Sequence, residues 1–501
     1  MTALFSVAEI RTIEQAAARG LAPGTLMQRA GHAAAKAALD LITGPNDEAS
    51  VLVLAGPGNN GGDALEVADR LARSEVQVAV LLFADPAKQS PDAQQALRRA
   101  QASGAQFIDP AAWRDVASTD WSLVVDGLFG IGLTRAIDGD MHALVEHINR
   151  GACPVLALDA PSGLDADTGQ VVGGSGVAVR ADHTITFIAD KPGLHSGDGR
   201  DYSGKVQVAA LDIDARHFPA PHAWLNDATL FSSAVRKRPQ NSHKGSYGDV
   251  AVIGGAHGMA GAPILAARAA AYCGAGRVYA AFIDAAPAYD SAQPELMCRL
   301  ASEFDFSGAT LVVGPGMGSS RAAHDLLAQA LHAPGALVLD ADALNLIAAE
   351  PGLQQILAQR KSATLMTPHP LEAARLLACT SAQVQADRLA AARTLARRFN
   401  ATVVLKGSGS VIARMDGTAV INTTGNPALA TAGTGDVLAG ICSALLAQGW
   451  PAWEAALAAV CLHGAAADTL VQQGLGPVGL TASELIPAVR ILLNRLVEQH
   501  A

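Results

Sequence analysis

The sequence predicts an α/β protein of two domains, each organised around a parallel sheet. Three observations lead there. Short β-branched runs alternate with helical patterns in both halves, the arrangement that puts helices on both faces of a parallel sheet. The chain has 501 residues, more than one core organises. A stretch from 212 to 249, mixing prolines, turn residues and the basic run RKRPQNSHK, separates the two series as a linker would, with the boundary near residue 225. The expected domains are 1–220 and 226–501.

In the first domain the strand-like runs are VLVLA, VQVAVLLF, SLVVDGLFG, PVLALDAPSG, HTITFIA and KVQVAAL. The first of them runs into GPGNNGGD, in which Gly56, Gly58 and Gly61 satisfy G-x-G-x-x-G. In a dinucleotide fingerprint such a turn brings backbone N–H groups to a pyrophosphate, and an acid about twenty residues on holds the ribose; Asp85 stands at that distance. The interior of the motif suits that task poorly. Pro57 has no N–H to donate, and Asn59, Asn60 and Asp63 crowd the turn with side chains that a plain pyrophosphate cradle does not need. A redox-cofactor site and a ligand-free glycine turn are both open on this motif alone.

The second series runs through GDVAVIGGA, ATLVVGPG, GALVLDADALN, ATLMTPHP and ATVVLKGSGSVIA and ends in alanine-rich helices. Its sharpest signal is GNPALATAGTGDVLAG, where Gly433 to Asp436 precede a helix starting near Val437. Glycine-flanked N–H groups at a helix N-terminus form an anion hole, and a carboxylate beside it can take a proton from a substrate hydroxyl while phosphate is transferred. An aspartate capping its own helix is the structural alternative. LKGSGS, GPGMG and the DADALN carboxylates Asp340 and Asp342 add small donors and acids at strand ends, suited to nucleotide phosphates and water-bridged Mg²⁺ or to ordinary turns and caps. His369 in TPHP is a lone histidine in a proline-framed turn.

Composition bounds the partners. Charged residues make up 16% of the chain and the formal net charge is -10, which argues against a nucleic-acid or anionic-membrane surface. Six scattered cysteines show no C-x-x-C pair and read as buried thiols of a reducing cytoplasm. The opening MTALFSVAEIRTIEQ lacks a secretory pattern, so a cytoplasmic protein is expected. The apolar stretch from Val437 is broken at Gln448, Gly449 and Pro451 and reads as two buried helices rather than a membrane span.

Taken in order, HKGSYGDVAVIGG, GAPILAARAAAYCGAGRV, PELM, GPGMG, VLDADALN, TPHPLEAARLL, VVLKGSGSVIA and NPALATAGTGDVLAG resemble the ADP/ATP-dependent NAD(P)H-hydrate dehydratase family. LMQRAG, GPGNNGGD, VVDGLFGIGLTR, LDAPSGLDADTG and ADHTITF resemble the NAD(P)H-hydrate epimerase family. The resemblances imply a Rossmann-like three-layer first domain and a ribokinase-like second one, fused for repair of hydrated NADH and NADPH. They also imply the site residues. Hydrate in the first domain would meet Asn59, Asn60, Gly61, Gly62 and Asp63, the segment Gly130, Ile131, Gly132, Leu133, Thr134, Arg135 and Ala136, and Asp159 as acid/base. A K⁺ would sit at Asn60, Asp126 and Ser162. In the second domain the adenine nucleotide maps to Lys406, Gly407, Ser408, Gly409, Ser410 and Gly435, and hydrate to Ala262, Gly316, Gly318, His369 and Asp436, the last as base. ADP with Mg²⁺ is the implied phosphoryl donor, and a homo-oligomer is expected. Ala64 departs from the glycine usual in relatives, and Thr434 and Met317 from serine and leucine. An ordinary small-alcohol kinase shares the second fold, but the first domain would then have no use.

Overall fold

In the computed structural model, which describes residues 1–117 and 119–500, the strand Ser50–Ala55 has no solvent-facing side. Val51, Leu52, Val53, Leu54 and Ala55 are all fully buried. Val51, Val53 and Ala55 enter one hydrophobic core, and Leu52 and Leu54 enter another across the sheet. A strand covered on both faces needs apolar side chains at every position, which is why the run reads as unbroken rather than alternating. Residues Thr2–Ala223 form this first unit; the chain from Trp224 onward, with Met1, forms the second.

The first sheet has the order Gln106–Ile108, Gln77–Leu82, Ser50–Ala55, Leu123–Gly127, Val155–Leu158, His183–Phe187 and Lys205–Ala209. Every pairing is parallel. Chain order reverses at Ser50–Ala55, whose neighbours are the next strand on one side and Leu123–Gly127 on the other. That is the switch point at which ligands enter open α/β sheets. Here the backbones nearly touch: a Cβ on Gly56 would lie 1.7 Å from the Leu128 carbonyl oxygen.

The second unit repeats the scheme. Asp249–Gly254 lies between Arg277–Phe282 and Thr310–Val313, and the sheet continues through Leu337–Leu339, Thr364–Met366 and Thr402–Leu405 in parallel. It then turns antiparallel through the hairpin strands Val411–Ala413 and Ala419–Ile421, while Met297–Leu300 extends the other end. Both the two-domain α/β class and its parallel sheets are as expected from the sequence. The strands Gln106–Ile108 and Met297–Leu300 escaped that reading because QFI and MCRL are short and half-exposed.

The stretch read as a linker is largely built into the second unit. Ala223–Leu225 joins the sheet beside Ala419–Ile421, with Asn226 N–H donating to Ile421 O at 2.8 Å. Phe231 and Val235 are buried in the core. Arg238 of the basic run donates to Gly274 O at 2.6 Å and stacks over Tyr247. Turn residues dominated the local signal, but the few apolar side chains among them decide the packing. Of the cysteines, only Cys273, Cys298 and Cys442 are buried; the other three are half-buried, and all six are free.

The apolar stretch from Val437 forms the helices Thr434–Ala447 and Ala452–Gln472, as the reading from sequence had it. The second is long and apolar enough to cross a membrane, and 67% of its apolar window is buried inside the protein. Thr434–Ala447 packs tightly on Gly261–Tyr272, since a Cβ on Gly440 would come within 2.2 Å of Ala266 O. Gly440→Val should therefore force these helices apart and cost about 1–3 kcal/mol of stability. Urea unfolding followed by far-UV circular dichroism, compared with wild type, checks it.

Candidate active sites

The loops that leave the first unit's switch point enclose a cavity of about 850 Å³. The helix Asn59–Arg73 begins at its wall, so the polar residues of GPGNNGGD form the first turn of a helix. Asn59, Asn60, Asp63, Gly130 to Arg135 and Asp159 all line the cavity. Gly61, Gly62 and Ala136 do not. A Cβ on Gly61 would meet Gly56 O at 1.9 Å and one on Gly62 would meet Met27 Cε at 2.5 Å, so these two glycines serve close packing behind the wall. Ala136 packs against Gly173. Asp85 is absent from the lining; it caps the turn Pro86–Lys88 by accepting from Ala87 N–H at 3.1 Å.

Asp159 follows the strand Val155–Leu158 with a left-handed backbone, φ 65°, which an aspartate adopts at some energetic cost. The Lys191 ammonium, wholly buried, donates to Asp159 Oδ1 at 2.8 Å, to Thr186 Oγ1 at 2.5 Å and to two backbone carbonyls. Asp159 Oδ1 also accepts from Phe187 N–H at 3.2 Å. Two further carboxyls face the same cavity. Burial, with Asp159, Glu14 and Glu66 nearby, pushes Asp63 well above the usual carboxylate range. Burial and Asp159 also raise Glu14, against the pull of Arg11 and Lys191. The floor thus sets Asp159, bound by Lys191, beside an acid, Asp63, whose affinity for its proton is raised by burial.

Beside it, Asp126 is fully buried, and burial lifts its carboxyl to about 6 against hydrogen bonds from Ser162 and Leu128. Ser162 donates to it from Oγ at 2.6 Å and from N at 2.8 Å. Asn60 is buried with neither its amide oxygen nor its nitrogen hydrogen-bonded. A Cβ on Gly130 would lie 3.3 Å from Asn60 Cγ, so Asn60 presses against the loop that carries Phe129 and Gly130. An unsatisfied buried amide oxygen, an acid and a hydroxyl are a donor set that suits a hard monovalent cation.

In the second unit the equivalent loops contain the other group of residues. The helix Thr434–Ala447 is entered through Gly433 at φ 90°, and Asp436 lies in its first turn. Burial, with Asp340 and Asp342 adding to it and Lys406 opposing, raises the Asp436 carboxyl to about 7. Lys406 Nζ donates to Asp340 Oδ1 at 2.7 Å, and Asp340 is buried. Burial disfavours the Lys406 charge, but Asp340, Glu372 and Asp436 outweigh it and hold its affinity for the proton up. A Cβ on Gly435 would sit 3.3 Å from Lys406 Nζ. One lysine therefore connects the KGSGS turn, the Asp340 junction and the start of the helix Thr434–Ala447.

The GPGMG loop closes the same end of the sheet. Asp342 Oδ2 accepts from Gly318 N–H at 2.8 Å, and a Cβ on Gly316 would fall 3.3 Å from Ala262 Cβ, which brings two of the expected hydrate contacts together. His369 caps the helix Pro370–Leu377, its Nδ1 accepting from Leu371 N–H at 3.0 Å and Glu372 N–H at 3.2 Å. That cap leaves the proton on Nε2, on a half-exposed edge 3.4 Å from Glu372. Sequence reasoning missed Lys191 and Glu14. Lys191 is a charged side chain buried just beyond the strand His183–Phe187 and no local motif marks it; the pairing of Asp340 with Lys406 has no local signal either.

Comparisons with known proteins place both halves of the chain in known families. Residues 250–489 match the NAD(P)H-hydrate dehydratase family and residues 23–193 the YjeF-related protein N-terminus family. The bifunctional NAD(P)H-hydrate repair enzyme of Coxiella burnetii is 37% identical over 99% of this chain and 100% of its own. That of Escherichia coli strain K12 is 36% identical over 97% of this chain and 93% of its own. The crystal structure of the ADP/ATP-dependent NAD(P)H-hydrate dehydratase from Bacillus subtilis, co-crystallised with ATP and Mg²⁺, covers 55% of this chain and 100% of its own at 27% identity and a TM-score of 0.48. With both family matches in order along one chain and full-length relatives above one-third identity, the protein belongs to the bifunctional NAD(P)H-hydrate repair enzymes.

Proposed function

We propose that the first domain, residues 1–220, interconverts the R and S hydrates of NADH and NADPH, and that the second, residues 226–501, dehydrates the S form to NAD(P)H. In the hydrate, water has added across a double bond of the reduced nicotinamide ring and left a hydroxyl on a carbon beside nitrogen. The observation that carries the reading is the Asp436–Lys406–Asp340 cluster at a helix-start anion hole, in a chain whose other unit holds an acid–base pair in a dinucleotide-sized cavity.

Hydroxide is a poor leaving group and phosphate a good one. Asp436 accepts the hydroxyl proton, and the freed oxygen attacks the terminal phosphorus of ADP, forming one P–O bond as the bond to AMP breaks. The ring nitrogen's lone pair then expels phosphate, and loss of a proton from the adjoining carbon restores the conjugated ring. The N–H groups at Gly435 and the Lys406 ammonium receive the phosphoryl charge. Mg²⁺, which neutralises nucleotide phosphates, would arrive with them; among the described residues no cluster of His, Cys, Asp and Glu is built to hold it alone.

In the epimerase, the hydroxyl-bearing carbon changes hand by one of two routes. One is loss and return of water, in which the ring nitrogen's lone pair forms C=N as the protonated hydroxyl leaves and water re-adds to the other face. The other is ring opening, in which the hydroxyl gives up its proton as the C–N bond breaks onto nitrogen and the ring recloses. In either, Asp159, oriented by Lys191, moves the protons beside Asp63. Asn60, Asp126 and Ser162 would hold the K⁺, whose charge would offset the buried Asp126 carboxylate and fix the loop of Gly130. The free thiols support a reducing, cytoplasmic setting.

The reading is tested by giving purified protein a mixture of R and S hydrates with ADP and Mg²⁺ and following the reduced-nicotinamide absorbance. Full recovery is expected; no recovery would overturn the reading, and recovery of the S portion alone would remove the epimerase from it. Asp126→Ala should slow R-hydrate recovery while dehydration of pure S hydrate is unchanged, and exchanging K⁺ for Na⁺ should do the same. Asp436→Asn should lower S-hydrate turnover by about 10²- to 10⁴-fold with nucleotide affinity kept, as calorimetry would measure. Because a base must be unprotonated to act and Asp436 titrates at about 7, wild-type turnover should fall as pH drops through that value. The limb should vanish from the residual activity of Asp436→Asn.

A further inference from the structure

Arg388 opens the helix Arg388–Phe399 and is 1% exposed, among the most buried side chains of the protein. Among the described residues no carboxylate pairs with it. Its guanidinium donates instead to backbone carbonyls of the turn that follows Thr402–Leu405: Nη2 reaches Leu405 O and Lys406 O at 3.2 Å and Gly409 O at 3.4 Å, while Nη1 reaches Gln385 Oε1 at 2.5 Å. Its Nε is buried without a partner. A Cβ on Gly407 would stand 2.9 Å from both terminal nitrogens. Burial alone depresses the group to about 10, which still leaves it charged at neutral pH.

Two consequences follow from peptide geometry and electrostatics. In a planar trans peptide the carbonyl of one residue and the N–H of the next point in opposite directions. Drawing Lys406 O and Gly409 O inward therefore turns Gly407 N–H and Ser410 N–H outward. No hydrogen bond within the described chain reaches the N–H groups of residues 407 to 410. Separately, a buried cation without a counter-anion is costly, and an anion bound just beyond the turn would relieve it.

We infer that Arg388 is a positioning residue for the nucleotide: it presets the Lys406–Ser410 turn with its N–H groups aimed at phosphate oxygens, and the phosphates supply its missing counter-charge. The inference rests on the dehydratase reading above and adds to it a residue 18 positions upstream of Lys406. Arg388 touches the loop and not the reacting atoms, so it governs binding rather than chemistry.

The test uses the full-length protein with Arg388→Met and Arg388→Lys. For Arg388→Met the Kd of ADP by calorimetry and the KM for ADP should both rise about 10- to 100-fold, with kcat at saturating ADP within about twofold of wild type. The unliganded variant should melt no lower than wild type, and the rise in Tm produced by ADP should be largely lost. Arg388→Lys, which keeps a charge and loses the fork, should fall between the two. R-to-S epimerisation should be unchanged. An unaltered Kd and KM, or a loss confined to kcat, would overturn the inference alone. Variants that fail to fold would overturn it as well, because the counter-charge argument requires an unliganded fold that tolerates removal of the cation. Wild-type protein that binds no ADP would overturn the dehydratase reading and this inference with it.

Discussion

Both units depend on one constraint: at the point where strand order reverses, the loop leaving the first strand must touch the backbone of the loop leaving its neighbour. In the first unit this is Gly56 against Leu128, and in the second Gly254 against Pro315, where a Cβ would come within 1.7 and 1.9 Å of a carbonyl oxygen. Any side chain there would pry the loops apart. With glycine in place, Asn60 reaches the Gly130 loop, and the GPGMG loop reaches Ala262. The glycine pattern that resembles a redox-cofactor fingerprint is thus first a packing device, and the polar residues crowded around it are what make a site of it.

The two sites share a second feature. Each gathers several carboxylates around one lysine, the buried Lys191 with Asp159, Glu14 and Asp63, and the partly buried Lys406 with Asp340, Glu372 and Asp436. A lysine can neutralise only one carboxylate at contact distance, so the others are driven toward their protonated forms by burial and by each other. Asp436 is left near neutrality, where a base can both accept and release a proton at working pH. Ion pairs of this kind contribute little to stability once desolvation is counted. Their effect is on proton affinity.

Much of this was legible in the amino-acid sequence. Parallel-sheet strands buried on both faces leave continuous apolar runs, so VLVLA and the start of SLVVDGLFG mark Ser50–Ala55 and Leu123–Gly127, and ATVVLKGSGSVIA holds two strands, Thr402–Leu405 and Val411–Ala413. Local backbone demands leave glycine and aspartate signatures, so the turn at Asn59 to Asp63 and the helix start at Gly433 to Asp436 could be located as candidate sites. Short edge strands such as Gln106–Ile108, and the strand Ala223–Leu225 hidden in a turn-rich stretch, could not, because their pairing comes from distant chain rather than from their own pattern.

What the tertiary structure decided is which charges meet. Lys191 and Asp159 are 32 residues apart, Lys406 and Asp340 are 66, and Arg388 lies well before the turn it holds. A single acidic or basic residue carries no local record of its future partner, since the energy of an ion pair depends on separation in space and on burial, and neither is a property of neighbouring positions. The sequence determined where the backbone turns and which faces are apolar. Folding determined which carboxyls bind their protons more tightly, which lysine meets a carboxylate, and which buried cation is left to find its counter-charge in a ligand.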